Sequence, residues 1–201
     1  MADELYKVIP FLSDLNLSEV EYVLMEDDEY YNTYKTDVPN MQAKKLESIV
    51  KLKLIGNGSH RGVYAFSPSI CVKLELTEDV YNNEREAELY TYIKTNKPQL
   101  AQYLCPILDR FKWFNIMANC DCNSMEITSD DRKEIINLFE EEGILLLDLD
   151  DKRQFGRLNN KTVAVDYADW QFKIDKLELE KKSKEINKLL AFDFEPSINK
   201  L

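Results

Sequence analysis

Residues 54–73 read LIGNGSHRGVYAFSPSICVK, and this stretch decides the fold predicted for the chain. Gly56 and Gly58 follow a strand-like apolar run, a Val63–Tyr64 pair comes after them, and Lys73 ends a further apolar run. Short β-branched and aromatic runs separated by Gly, Ser and Pro are typical of consecutive strands. The order therefore predicts a strand, a glycine-rich turn, a returning strand and a lysine on the strand after it.

The composition is that of a soluble globular protein, with 44% hydrophobic and 31% charged residues among 201. This length allows one large domain or two small lobes. The net charge of −11 argues against a general nucleic-acid binder, which needs a basic face. No apolar run is long enough for a membrane span, and the first residues do not resemble a signal peptide. We therefore expect a cytoplasmic protein with no membrane partner.

Four cysteines and one histidine limit the metal and disulfide chemistry that can be expected. Cys120 and Cys122 lack the two-residue gap and the second ligand pair of a common zinc site, and His60 stands alone. Scattered reduced thiols, with no structural metal and no disulfide framework, are therefore predicted.

Residues 1–48 form an acidic, aromatic-rich leader, which we predict to be a helical extension. Ser18 and Glu21 have the spacing of a capping box, which predicts a short helix through Val20, Val23 and Leu24. Two alternatives stay open for this leader: it packs on the domain that follows, or it waits for a partner.

Residues 49–118 are predicted to be an antiparallel sheet with one helix. Strands are expected over 48–76 and over 104–117 around Asp109–Arg110, and a helix over 78–94 capped by Thr77. The expected inward stripe of that helix comprises Asn82, Glu86, Leu89, Tyr90 and Ile93.

Residues 119–201 are predicted to be a reduced, mainly helical unit. A helix over 128–142 should be capped by Thr128 or Ser129 and stopped by Gly143. An apolar run over 144–147 leads into an acidic loop over 148–151, and a short strand is expected over 162–165, before Asp166. A charged helix over 172–191 is expected to follow. The predicted class for the whole chain is α+β.

The glycine turn, Lys73, Glu86, Asp148 and Asp166 occur in an order that resembles the protein kinase-like superfamily, over residues 52–169. The resemblance implies a minimal bilobal fold, with an antiparallel β N-lobe containing one helix and a reduced C-lobe. It also implies that Lys73 pairs with ATP phosphates and with Glu86, which shares a helix face with Leu89. In its short second lobe the chain most resembles small virus-encoded kinases, such as the host-modifying kinases of T7-like phages.

The same resemblance assigns a nucleotide and metal site. Gly56, Gly58, Ser59, Lys73, Glu86 and Ala118 are expected to bind ATP, and Asp148, with Lys73, to be catalytic. Asp166, in an Asp-Tyr variant of the Asp-Phe-Gly motif, is expected to bind Mg²⁺, because a carboxylate at a strand end is a hard oxygen ligand. Gln154 precedes Phe155-Gly156 and is the nearest amide to the position of the metal-binding asparagine.

Several positions depart from the kinase pattern. Arg61 stands where the third glycine belongs, Leu146 and Leu147 replace the His-Arg before the catalytic aspartate, and Arg153 stands where the asparagine is expected. Each candidate residue also has an ordinary alternative, such as a plain hairpin, a solvated lysine or an acidic turn.

Three functions are compatible with these residues. The first is a phage-encoded kinase-like protein that binds ATP and Mg²⁺ and phosphorylates Ser or Thr on a host protein. The second is a catalytically impaired pseudokinase that inhibits or redirects a host enzyme by binding it. The third, phosphorylation of a small molecule, ranks last because the chain is short for the substrate domain of that branch.

Overall fold

Five α-helices, nine strands and two short 3-10 helices make up the described part of this computed structural model, residues 2–25, 38–58, 60–76, 81–111, 113–147, 149 and 151–173. The class is α+β, as predicted. The helices are α1 (Ala2–Ser13), α2 (Leu17–Met25), α3 (Val38–Val50), α4 (Asn82–Asn96) and α5 (Ser129–Glu141). The strands are β1 (Lys53–Asn57), β2 (Arg61–Ala65), β3 (Ile70–Glu75), β4 (Ile107–Phe111), β5 (Phe114–Ala118), β6 (Ile144–Leu146), β7 (Phe155–Leu158), β8 (Lys161–Ala164) and β9 (Trp170–Phe172). The 3-10 helices are Pro98–Tyr103 and Lys152–Gln154.

A five-stranded antiparallel sheet in the order β1-β2-β3-β5-β4 is the centre of the fold. Every residue of β3 is buried, because the sheet is covered on both faces. Alternate side chains of a strand point to opposite faces. Val72 and Leu74 accordingly lie in one hydrophobic cluster and Cys71 in another, on the face that also carries Lys73.

Helices α1, α2 and α3 cover the Val72 face of the sheet, where Leu12, Val20 and Leu46 are fully buried. The described part of the leader therefore packs on the sheet. One correction concerns Ser18: α2 begins at Leu17, so Ser18 lies inside the helix and is not its N-cap. The leader also contains α1 and all of α3 except its last two residues.

Helix α4 covers the opposite face, and its buried residues are Asn83, Glu86, Leu89 and Ile93. Asn83, not Asn82, is the buried asparagine, because its amide bonds to the carbonyls of Lys73 and Trp113. The predicted cap Thr77 lies outside the described residues, and Tyr81 precedes the helix without a side-chain cap.

Asp109 and Arg110 lie inside β4, so the predicted turn at these residues is wrong. The chain reverses between Phe111 and Phe114, which are register partners, so β4 continues through Asp109 and Arg110 to Phe111 before it turns. The register between β4 and β5 shifts between Ile107 and Asp109, and the side chains of Asp109 and Arg110 are exposed.

The segment after β5 contains α5 and two two-stranded sheets, β6-β9 and β7-β8. Thr128 caps α5 in a capping box with Asp131, and Gly143 follows it with φ 78°, both as predicted. Residues 119–201 were predicted to be mainly helical, but the described residues 119–173 contain one α-helix, α5, and four short strands. The predicted helix over 172–191 begins inside β9, and the rest of it lies outside the described residues. No helix in the described ranges has the length and apolarity to cross a membrane.

Candidate functional site

The register of the sheet brings charged and polar side chains of three strands onto the α4 face. Lys73 pairs with Val63 on β2 and with Asn115 on β5, and Arg61 pairs with Glu75. Residues directly opposite one another in an antiparallel pair share a face. Arg61, Lys73 and Asn115 therefore all point toward α4, although 54 residues of sequence separate the first from the last.

Glu86 on α4 is the centre of this cluster and is fully buried. Its Oε1 accepts hydrogen bonds from Lys73 Nζ at 2.9 Å and from the backbone N–H of Tyr167 at 3.3 Å. Its Oε2 accepts from Arg61 at 3.2 Å and from Asn115 Nδ2 at 3.3 Å. The predicted Lys73–Glu86 pair is thus present as a buried, charge-assisted hydrogen bond.

Asp166 follows β8 and reaches the same cluster from the other side. Lys73 Nζ donates to the carbonyl oxygen of Val165 at 2.8 Å and lies 3.8 Å from Asp166 Oδ1. The same Oδ1 is ion-paired with the second terminal nitrogen of Arg61. The Asp166 side chain is 46% exposed, so it is the member of the cluster that solvent can reach.

Arg61, Lys73, Glu86 and Asp166 form what we call the ion cluster, with two positive and two negative charges. Burial opposes ionisation of Glu86, but Lys73 and Arg61 outweigh it, and the pKa of Glu86 is lowered. Burial, together with the positive charge of Arg61, lowers the pKa of Lys73 against the opposing effect of Glu86. Buried charges persist only when paired and hydrogen-bonded, as these are.

The glycine turn lies between β1 and β2, where the N–H of Gly58 donates to the carbonyl oxygen of Arg61 at 2.9 Å. A Cβ added at Gly56 or Gly58 would meet no heavy atom within 4 Å. Nothing in the described protein therefore requires glycine at either position for space. Ser59, predicted to bind the nucleotide, lies outside the described residues.

The predicted magnesium ligands do not form a metal site in this arrangement. The Oε1 atom of Gln154 accepts the N–H of Asp151 at 3.1 Å in the capping box of the second 3-10 helix. Asp166 is held by Arg61, and Asp148 lies outside the described residues. Within the described ranges, no three His, Cys, Asp or Glu side chains are grouped so that they could hold a metal ion. Since Mg²⁺ prefers six oxygen ligands, the described residues do not fit it while Arg61 holds Asp166.

A cavity of about 600 Å³ lies beside the glycine turn. Its lining includes Ile55, Asn119, Cys120, Asp121, Cys122 and Leu158. The volume is in the range of small-molecule pockets. Ala118, expected at the nucleotide site, is the residue just before this lining, and its backbone N–H donates to Pro106 at 3.0 Å. Lys73 and Asp166 are not part of the lining, so the cavity and the ion cluster are separate features.

Three of the four cysteines lie close together around the carbonyl oxygen of Ala118, whereas the sequence predicted scattered thiols. The carbonyl oxygen of Ala118 accepts from Cys105 Sγ at 3.2 Å and from Cys71 Sγ at 3.6 Å, and the sulfurs of Cys105 and Cys120 lie 3.2 Å apart. All four thiols are free. Burial raises the pKa of Cys71 to about 12 and the pKa of Cys122 to about 11, which disfavours the thiolate form of both.

Arg61 and Asn115 are the site residues that the sequence analysis did not assign. Arg61 was noted there as a departure from the glycine pattern. Arg61 lies two residues before Val63 on β2, so the two side chains point to the same face of the sheet. Since Val63 pairs with Lys73, this spacing was the feature of the sequence that could have placed Arg61 beside Lys73. Asn115 carried no such signal, since its position depends on how β5 pairs with β3.

No protein-family model matches this chain, and no curated protein matches its sequence. The support for a function is therefore the geometry of the ion cluster together with the sequence resemblance.

Proposed function

We propose that this chain is a kinase-like protein that binds ATP at the glycine turn and the ion cluster and acts on a host protein, which it phosphorylates or otherwise modulates. The observation that carries the proposal is the buried Lys73–Glu86 ion pair, with Lys73 Nζ 3.8 Å from Asp166. A strand lysine held by a helix glutamate beside an aspartate is the arrangement with which protein kinases hold nucleotide phosphates.

Each residue has a separate role in this proposal. Lys73 uses two of its three N–H groups on Glu86 and Val165, which leaves one for a phosphate oxygen. Glu86 keeps the ammonium group oriented. Gly56 and Gly58 allow the backbone to approach the phosphates, which explains glycine at two positions where the protein itself has room for a side chain.

The catalytic part of the proposal extends beyond nucleotide binding. Asp148 stays the predicted acceptor of the substrate hydroxyl proton, and Mg²⁺ stays a predicted cofactor whose binding at Asp166 requires Arg61 to move away. The phage origin and the host cytoplasm as compartment belong to the same proposal and have the sequence resemblance as their support.

Thermal unfolding with and without millimolar ATP tests the binding step. ATP should stabilise the wild type, by about 2.7 kcal/mol at a hundredfold excess over Kd. Lys73→Met should lose this stabilisation, whereas Lys133→Met, at an exposed lysine on α5, should keep it. An equal shift in both variants, or no shift in the wild type, would contradict the proposal.

A second candidate, a pseudokinase that acts by binding a host enzyme, is favoured by the Arg61–Asp166 ion pair. Arg61 holds the aspartate that phosphoryl transfer needs, and the amide oxygen of Gln154 is engaged with Asp151. Labelled γ-phosphate supplied with a host extract separates the two candidates. Transfer that is lost in Lys73→Ala and Asp166→Ala supports the kinase, and ATP binding without any transfer supports the pseudokinase.

The pseudokinase needs a surface for its target, and point substitutions test the leader better than its removal. Deleting residues 1–48 would strip Leu12, Val20 and Leu46 from a hydrophobic cluster and uncover the sheet. Tyr6 on α1 is 82% exposed and makes a better probe. Loss of a captured host protein in Tyr6→Ser, with unfolding unchanged, would place the binding surface on α1, and unchanged capture would exclude Tyr6 from that surface.

A further inference from the structure

Arg61 is a buried cation at a place where the kinase resemblance predicts glycine. Its side chain is 8% exposed, and its guanidinium group bridges Glu86 Oε2, at 3.2 Å, and Asp166 Oδ1. The two carboxylates belong to different parts of the fold, since one lies on α4 and the other follows β8. Arg61 therefore connects Asp166 to the helix glutamate, as Lys73 does over a longer distance of 3.8 Å to Asp166.

The guanidinium group suits this position chemically. It stays charged at any pH that a protein experiences, and its planar fork of five N–H donors can bond several acceptors at once. One terminal nitrogen faces Glu86 and the other faces Asp166, on an edge of the cluster that solvent reaches through Asp166. The fork has five N–H donors, more than these two carboxylate contacts use, so donors are left for a phosphate oxygen.

The charges of the cluster sum to zero before any ligand binds, with Arg61 and Lys73 positive and Glu86 and Asp166 negative. A divalent cation at Asp166 Oδ1 would stand next to the guanidinium group and be repelled by it. A triphosphate that bonds directly to Arg61 and Lys73 would be attracted by these two cations, while Glu86 and Asp166, which are already paired with them, oppose it. In this respect Arg61 provides the positive charge that a bound metal ion usually supplies to phosphates.

We propose that Arg61 is the built-in counter-ion of Asp166 and that the chain binds the triphosphate of a nucleotide through Arg61 and Lys73 without a divalent cation. This inference rests on the proposed function, since it specifies the ionic form of the nucleotide that the ion cluster takes. Arg61 acts here as a binding and specificity residue. Its removal frees Asp166 and makes nucleotide binding depend on a metal ion.

Calorimetric titration of ATP into the full chain, in EDTA and in millimolar Mg²⁺, tests the inference directly. The wild type should bind ATP in EDTA at least as tightly as in Mg²⁺. Arg61→Gln should weaken binding in EDTA by about tenfold or more, and Mg²⁺ should then restore about the same factor. Arg110→Gln is the matched control, because Arg110 is a half-exposed arginine on β4 whose pairing with Glu84 lies outside the cluster.

Wild-type binding that is about tenfold or more tighter in Mg²⁺ than in EDTA would overturn the inference and leave the proposed function intact. Failure of the wild type to bind ATP in either buffer would overturn both. The wild-type comparison needs no variant, so the inference stays falsifiable if Arg61→Gln does not fold. Arg61→Lys then serves as the second variant, and because it keeps the positive charge it should still bind ATP in EDTA.

A readout without nucleotide separates the metal question from ATP binding. Mn²⁺ alone, followed by the loss of its free electron paramagnetic resonance signal, should not bind at Asp166 in the wild type. Arg61→Gln should gain a Mn²⁺ site that Arg61→Gln/Asp166→Asn lacks. Wild-type Mn²⁺ binding that disappears in Asp166→Asn would contradict the counter-ion role of Arg61.

Discussion

Among the charged groups of the site, the buried carboxylate of Glu86 should contribute most to the stability of the fold. We predict that Glu86→Gln lowers the free energy of unfolding by about 3–5 kcal/mol, the cost of leaving buried charges without their partner. The substitution keeps the size of the side chain, so it creates no cavity. The predicted loss is therefore electrostatic and hydrogen-bonding in origin.

The magnitude follows from the contacts of the two carboxylate oxygens. Oε1 accepts from Lys73 and from the N–H of Tyr167, and Oε2 accepts from Arg61 and Asn115. An amide replaces one acceptor oxygen with a donor, so two of these four donors would face another donor in either orientation of the amide. An unsatisfied buried group costs about 1–3 kcal/mol, and more when it is charged. The charge of the ion cluster would also change from zero to plus one.

Urea unfolding at neutral pH measures this loss. Glu84→Gln is the matched control on the same helix, because Glu84 is 44% exposed and pairs with Arg110 at 3.6 Å. An exposed pair of this kind contributes about 0–1 kcal/mol. A loss for Glu86→Gln that is no larger than the loss for Glu84→Gln would refute the view that Glu86 holds the cluster together.

Three further predictions concern stability. Gly156→Ala should cost about 1–3 kcal/mol in urea unfolding, because a Cβ there would lie 2.7 Å from Cys120 Cβ; an unchanged midpoint would mean that the segment of Cys120 moves freely. Burial raises the pKa of Glu75 from 4.5 to about 7. The folded chain then holds more protons than the unfolded chain between these values, and stability falls as pH rises across them. Glu75→Gln should remove this part of the slope, and identical slopes for variant and wild type would contradict the assignment. Thr128→Ala should lower the free energy of unfolding by about 1 kcal/mol, because the Thr128 hydroxyl accepts the N–H of Asp131 at 3.1 Å. Ser129→Ala, at the next position, is the control and should change it little.

Local patterns in the sequence predicted the elements that depend on neighbouring residues. The strands around the glycine turn, the cap at Thr128 and the stop at Gly143 all follow from short-range preferences, and the structure has them. The pairing of Lys73 with Glu86 was predicted from the kinase resemblance, and the inward position of Glu86 from the spacing of its helix; the structure has the pair. The boundaries of α2 and of β4 were not, because the packing of the leader and the pairing of β4 with β5 outweigh the signals at Ser18 and Asp109.

Local sequence patterns were enough to predict the α+β class and the central strands, and the kinase resemblance singled out Lys73, Glu86 and Asp166 as site residues. The tertiary structure alone decided that Arg61 and Asn115 join them, that the cysteines gather around Ala118, and that the first helices cover the sheet. The physical reason is the range of the interactions. Periodicity and capping act over a few residues, whereas the neutrality of a buried ion cluster is set by strand register between segments that the sequence keeps far apart.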